Sequence, residues 1–202
     1  MVERINIFDS NHQLIGTSTK KEAHEKGLYH EVFGCVLIDS TKNTIYLQYK
    51  NSSHNDLSDV DKIDISVGGH LMCDETKEDG IREIKEEANI DVRYEDLIFL
   101  EERKIDKFIN DNYIIREFDY LYLYDNHFDL KELKSNDDEV KYYIEFDINE
   151  LEDFLNNKTN KIVGKTINGE ETFYLKDFIQ GYLEDDHLYL KLINYIKEYM
   201  KN

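Results

Sequence analysis

The chain has 202 residues, a formal charge of −19, an apolar fraction of 40% and an aromatic fraction of 12%. That length suits one domain with additions, or two small ones, and the aromatic clusters suit a folded core rather than a disordered chain. The acidic balance excludes broad nucleic-acid binding, which needs a basic face to displace counterions, and no apolar run nears the roughly 18 residues of a membrane span.

The N-terminus "MVERINIFDS" carries no signal-peptide core, so a cytoplasmic protein is expected. Cys35 and Cys73 form no CxxC pair and are expected as reduced thiols. In chain order, "RINIFD" and "QLIGTS" flank turn formers and predict a hairpin. A short helix follows, with Thr19 as its cap and Gly27 as its stop. "EVFGCVLID" and "NTIYLQYK" predict two strands, "NSSHNDLSDVDK" a polar loop, and "IDISVGG" a strand ending in two glycines. "YEDLIFLEERKID" and "NYIIREFDYLYLYD" predict a long antiparallel pair, and "KYYIEFDI" a last strand after a charged loop. Asn149 is placed as the cap of a helix burying Leu151, Phe154 and Leu155. "ETFYLKDFIQGYL" and "DDHLYLKLINYIKEYM" predict two further amphipathic helices. Strands in the middle and helices at the end argue for an α+β sandwich.

The segment from Asp74 to Glu87 holds seven carboxylates and three basic residues. On a helix at about 100° per residue, Glu75, Asp79, Arg82, Glu83 and Glu86 share one side, with Glu87 at its margin. Ile81, Ile84 and Ala88 fall on the other side, which can pack on a sheet. Glu83, Glu86 and Glu87 put three oxygen donors within one turn. That density suits a hard divalent cation, Mg²⁺ above all. Gly68 and Gly69 precede the helix and permit close backbone approach, and Arg82 can pair with and orient Glu75 or Glu86.

"REIKEEANI", Arg82 to Ile90, resembles the second half of the Nudix box, in which Arg-Glu-apolar-any-Glu-Glu-any-Gly-apolar closes the signature. Asn89 stands for the closing glycine and tolerates the left-handed conformation a helix cap needs. The front half reads in two ways: Gly69 with Glu75, which we prefer, or Gly68 with Asp74. The lead-in "INIFDSNHQLIGTSTKKEAHEKGLYHEVFGCVLID" is similar to Nudix proteins related to isopentenyl diphosphate isomerase, so the likeness spans roughly residues 3 to 148.

The resemblance implies an α/β/α sandwich with a mixed sheet: a hairpin and short helix extension at 1–28, the domain at 29–148, and C-terminal helices packed on it at 149–202. It implies a hydrolase cleaving a pyrophosphate bond in a nucleoside diphosphate joined to another moiety. Mg²⁺ is the implied cofactor, with Mn²⁺ as the alternative, held by Glu83, Glu86 and Glu87, with Glu75 as the first box carboxylate. Arg82 orders the carboxylates, and Glu83, Glu86 or the more distant Glu139 supplies the general base. Lys50, which stands where these relatives carry a basic residue, and Gly69, His70 and Arg116 are the candidate substrate contacts. Arg103, Tyr49, Phe108 and Tyr113 are further candidates. The implied partner is a small nucleotide or other diphosphate, with neither nucleic acid nor membrane, and a homodimer is admitted.

His24, His30 and His70 also resemble metal-binding histidines of the isomerase, and Glu117 one of its acids. The isomerase's cysteine, however, is replaced by Gly68, and Glu83, Glu86 and Glu87 are all kept. Hydrolysis is therefore expected, with His24 and His30 structural. An isomerase-like enzyme and a non-catalytic ligand-binding module stand as the alternatives.

Overall fold

The computed structural model describes residues 3–51, 61–136 and 139–201. Most of the polar loop expected after Lys50, residues 52–60, lies outside them. Strands β1 (Ile5–Phe8) and β2 (Leu14–Ser18) pair as the expected hairpin. Helix α1 (Lys20–Lys26) starts where Thr19 accepts from the Glu22 N–H and stops at Gly27, whose φ of 60° is left-handed and favours glycine.

The main sheet has the strand order β11–β10–β9–β4–β3–β8–β7. Its members are β3 (His30–Asp39), β4 (Thr44–Lys50), β7 (Ile98–Asn110), β8 (Tyr113–Asp125), β9 (Val140–Asp147), β10 (Ile162–Thr166) and β11 (Gly169–Phe173). Two short strands, β5 (Ile63–Asp64) and β6 (Val67–His70), attach to β4 and β3 respectively. The β3–β8 pair is parallel and the remaining pairs are antiparallel, so the sheet is mixed. β4 pairs with the end of β3 and β6 with its beginning, on the same edge. Ser66 bridges the parting, accepting from the Leu37 N–H at 2.8 Å and donating to the Tyr46 carbonyl.

Alternation along β3 buries its residues on two faces. Val36 and Ile38 join Leu47, Leu121, Phe146 and the stripe Leu192, Ile193 and Ile196 of α5 (Leu188–Tyr199). Phe33, Cys35 and Leu37 join Tyr46, Tyr122 and the Ile84–Ala88 stripe of α2 (Ile81–Ala88). The sheet is thus covered by α2 on one side and by α5 and α3 (Ile148–Leu155) on the other, an α+β architecture with an α/β/α sandwich.

Three local expectations are corrected. The carboxylate helix starts at Ile81, not Glu75, because Asp79 accepts from the Thr76 N–H and hydroxyl, both at 2.8 Å, and closes a turn there instead. Asp147, not Asn149, caps α3: its carboxylate accepts from the N–H groups of Asn149 and Glu150. The segment from 162 to 173 is a hairpin that widens the sheet, turning at Gly169 with φ 112°. The helix placed at "ETFYLKDFIQGYL" shrinks to α4 (Gln180–Glu184). Val163 and Lys165 point out while Ile162, Gly164 and Thr166 are buried, a period of two that the adjoining helical pattern obscured. No helix among the described residues is long and apolar enough to cross a membrane.

Candidate active site

Arg82 gathers the carboxylates. Its Nε donates to Glu75 at 2.7 Å, and its Nη2 to the other oxygen of Glu75 at 3.0 Å. Its Nη1 donates to Glu86 at 2.6 Å, and Nη2 also lies 2.9 Å from Glu83. Glu75 thus reaches the strip from a turn rather than from the helix. Burial works to raise the Glu75 carboxyl, but Arg82 and the Met72 N–H hold it below its ordinary value. Glu83 and Glu87 are buried, 8% and 3% exposed, whereas Glu86 is half-exposed. Burial drives Glu83 up to about 7 against the pull of Arg82. Glu87 is also driven up by burial, although the Gly68 N–H donates to it at 2.9 Å and Gln48 at 3.3 Å. Two buried acids with raised pKa values, side by side on one helix, are groups that bound positive charge would relieve.

Gly69 and Gly80 are needed for space. A β-carbon at Gly69 would run into the Glu83 carboxyl, and one at Gly80 into the Phe33 ring. The two obstacles differ in kind, because the Glu83 carboxyl can swing away and the buried Phe33 ring cannot. Gly69→Ala is therefore expected to fold with less than about 1 kcal/mol lost, yet to weaken divalent-metal binding about 10–100-fold, as loss of a ligand's support does. Gly80→Ala is expected to cost about 1–3 kcal/mol through overpacking. Melting curves and metal titration of both variants check this; equal behaviour of the two refutes it.

A second cluster stands at the start of β3. Ligating atoms of His24, His30, His70 and Glu117 lie within 4.8 Å of one another. The His24 and His70 Nε2 atoms are 3.2 Å apart. Backbone carbonyls face the other ring nitrogen of two histidines: Ile114 O faces His24 Nδ1 at 3.2 Å and Leu28 O faces His30 Nδ1 at 2.9 Å. That arrangement turns both Nε2 atoms toward the cluster, as partners around a metal site do. His30 Nε2 is buried with no hydrogen bond, 3.6 Å from Glu117. Burial lowers the pKa of His24 and His70, favouring the neutral imidazole that ligates metal. Burial works to raise Glu117, but His30, then His24 and Lys20, hold it below its ordinary value. Three imidazoles and one carboxylate fit a first-row transition-metal ion better than Mg²⁺. The sequence resemblance pointed to these four residues, but only folding shows His24 and His30 converging with His70 and Glu117.

Of the other candidates, Lys50 lies 3.1 Å from Asp64, and its charge is felt by Glu87 and by His70. Glu139 is exposed, and its charge raises both Glu83 and Glu87. Arg116 is not brought to this cleft. It follows strand alternation to the face opposite Glu117, donating to Asp106 at 2.9 Å and to the Gly27 carbonyl at 3.1 Å. Arg103 is buried in ion pairs with Asp119 and Asp186. Phe108 is exposed at the far end of β7, Tyr49 stacks on Tyr142, and Tyr113 stacks on His24. Gln48, Lys20 and the Arg103 pairs were not singled out as site features in the sequence. The glutamine two positions before Lys50 in the strand "IYLQYK" was the available signal for Gln48.

No family model matches the chain. It is 34% identical over 160 residues to an uncharacterized Nudix hydrolase of Clostridium acetobutylicum, covering 79% of this chain and 77% of that protein. The fold is similar to the crystal structure of DR0079 from Deinococcus radiodurans, with a TM-score of 0.55 and 18% identity over 74% of this chain and 86% of that one. A Nudix-family hydrolase from Clostridium perfringens superposes with a TM-score of 0.49 and 14% identity, over 82% of this chain and 97% of that one.

Proposed function

This chain belongs to the Nudix hydrolase family, and from that premise we propose that it is a pyrophosphohydrolase that cleaves the diphosphate bond of a nucleoside diphosphate joined to a second moiety, with Mg²⁺ or Mn²⁺. The observation that carries this reading is the Arg82 hub, which holds Glu75, Glu83 and Glu86 together beside Gly68 and Gly69. Glu83, Glu86 and Glu87 would hold the ion at the helix, and His24, His30, His70 and Glu117 could hold a second. A divalent cation bound there polarises the phosphoryl oxygens and lowers the pKa of attacking water.

The chain's own groups do the rest. Gly68 and Gln48 fix the rotamer of Glu87, and Gly69 leaves room for the Glu83 carboxyl. Lys50 adds a local cation on a chain of −19, where long-range charge repels phosphates. Glu83, Glu86 or the exposed Glu139 accepts the proton from water.

The histidine cluster is the one observation that favours the isomerase-like reading. Neither thiol serves it: Cys35 is fully buried against the α2 side of the sheet and its pKa is driven up by burial, while Cys73 is exposed on the turn before α2.

The test is metal-stripped protein with a panel of ADP-ribose, nucleotide sugars, dinucleotide polyphosphates, nucleoside triphosphates and isopentenyl diphosphate. Hydrolysis restored by Mg²⁺ or Mn²⁺ is expected. Isomerisation without hydrolysis overturns the reading in favour of the isomerase, and a flat panel with ligand binding in favour of a non-catalytic module. A proton on Glu83 competes with the ion, so the apparent metal affinity is expected to fall as pH drops through about 7. Isothermal titration between pH 6 and 8 checks this; an affinity independent of pH contradicts it.

A further inference from the structure

We propose that the sheet face beside the histidine cluster carries a subsite for a hydroxyl-bearing group of the substrate, built by Asp119 and Asp186 around Arg103; it rests on the reading of this protein as a diphosphate hydrolase. Strand alternation puts Asp119 on the same face as Glu117, roughly 7 Å further along β8. The registers agree: Glu117 lies beside His30, Asp119 beside Val32, and Val32 pairs with His70 of β6. Arg103 faces Asp119 across the β7–β8 pair.

Arg103 Nη1 donates to Asp119 Oδ2 at 2.9 Å and Nη2 to Asp186 Oδ2 at 2.6 Å. Each acid spends one oxygen on the guanidinium and keeps one. Asp186 Oδ1 is fully buried without a hydrogen bond. Asp119 is 5% exposed, and its Oδ1 lies over Gly34 with no hydrogen-bond partner among the described residues. A native fold rarely leaves a buried acceptor unpaired, so Asp186 Oδ1, with the unbonded Asp119 Oδ1 across the same guanidinium, points to a donor that arrives with a ligand. Asp186 belongs to the corner between α4 and α5, where His187 sits at φ 50° in the left-handed region, a conformation that costs a non-glycine residue.

The ligand chemistry follows from what the subsite lacks. Lys107 flanks Asp185 at 3.4 Å and Asp186 at 3.5 Å, so acids outnumber bases and both guanidinium arms are already engaged. A phosphate finds no open cation there, and an isoprenyl chain would bury both acceptors against hydrocarbon. Hydroxyl groups supply the missing donors. They can come from the ribose of the nucleoside or from a sugar on the distal phosphate.

The experiment measures KM for three substrates with the full chain and its metal: ADP-ribose, the β-methyl ester of ADP, and the 2′,3′-dideoxy form of that ester. Removing the hydroxyls that occupy the subsite is expected to raise KM at least about tenfold. A rise at the first step identifies the distal sugar, and a rise at the second the nucleoside ribose. Asp186→Asn is expected to narrow that ratio to within about twofold, through KM rather than kcat. A wild-type KM indifferent to both deletions refutes the subsite and leaves the hydrolase reading standing. No hydrolysis of any of the three overturns the subsite as built for an adenosine diphosphate substrate, and a flat result on the wider panel as well removes the hydrolase reading with it. If Asp186→Asn does not fold, the wild-type series decides alone.

Discussion

Glu83→Gln is expected to lower kcat by about 10²–10⁴-fold while the protein keeps its fold. Glutamine preserves the shape that fits over Gly69, and Arg82 keeps Glu75 and Glu86 as partners. What is lost is a buried negative charge at the head of the carboxylate strip. The same charge is a liability when no metal is bound. Its folded pKa of about 7 lies above the ordinary unfolded value of about 4.3. A raised pKa gives stability that is present below the unfolded value and lost as pH rises through the folded one. Metal-free wild type should therefore lose stability between about pH 4 and 7 through this group, and the glutamine variant should lose less. Added divalent cation should restore the wild type and stabilise the variant less, since the variant keeps the other candidate ligands but not this charge. Steady-state kinetics at saturating metal and melting curves with chelator read both effects. A kcat within threefold of wild type would sink the role of the α2 carboxylates and shift the chemistry to the histidine cluster.

Arg103→Ala should be the most destabilising single change away from the hydrophobic core. Arg103 and Asp119 side chains are each 7% exposed, so deleting the cation strands a buried carboxylate. Breaking such a pair costs about 3–5 kcal/mol, a fall in Tm of roughly 6–20 °C for a chain this long. Asp119 has an escape, however. Burial already pushes it up to about 7 even with Arg103 beside it. Without the guanidinium its pKa rises further, and it folds protonated wherever pH permits. The deficit of Arg103→Ala is therefore expected to be smallest near pH 5 and largest above pH 7. Denaturant unfolding of both proteins at pH 5 and 8 measures it. A deficit that does not change with pH would show that Asp119 is not the group left stranded.

Much of the candidate site was legible because it is local. The spacing of Arg82, Glu83, Glu86 and Glu87 on one helix, the apolar stripe of Ile84 and Ala88 behind them, and Asn89 as a left-handed cap at φ 59° all follow from short-range geometry. The start of that helix was misplaced because Asp79 competes for it through its own turn, a contest that helical periodicity does not register. The hairpin at 162–173 was missed for a similar reason: its strands are five residues each, and the apolar periodicity of the following segment runs straight through them.

The sequence by itself determined the acidic helix with its two faces and the glycines that precede it, because each depends on residues within about twenty positions of one another, and likeness along 160 residues determined the family. Only the tertiary structure decided which acids are buried, that Glu87 is held by Gly68 and Gln48, and that His24, His30, His70 and Glu117 meet. It also decided that the α4–α5 corner brings Asp186 to Arg103 across 83 positions. The physical reason is burial. A carboxylate's pKa, an imidazole's tautomer and an ion pair's strength depend on the dielectric and the neighbours that packing supplies, and packing of a mixed sheet joins strands that lie far apart in the chain.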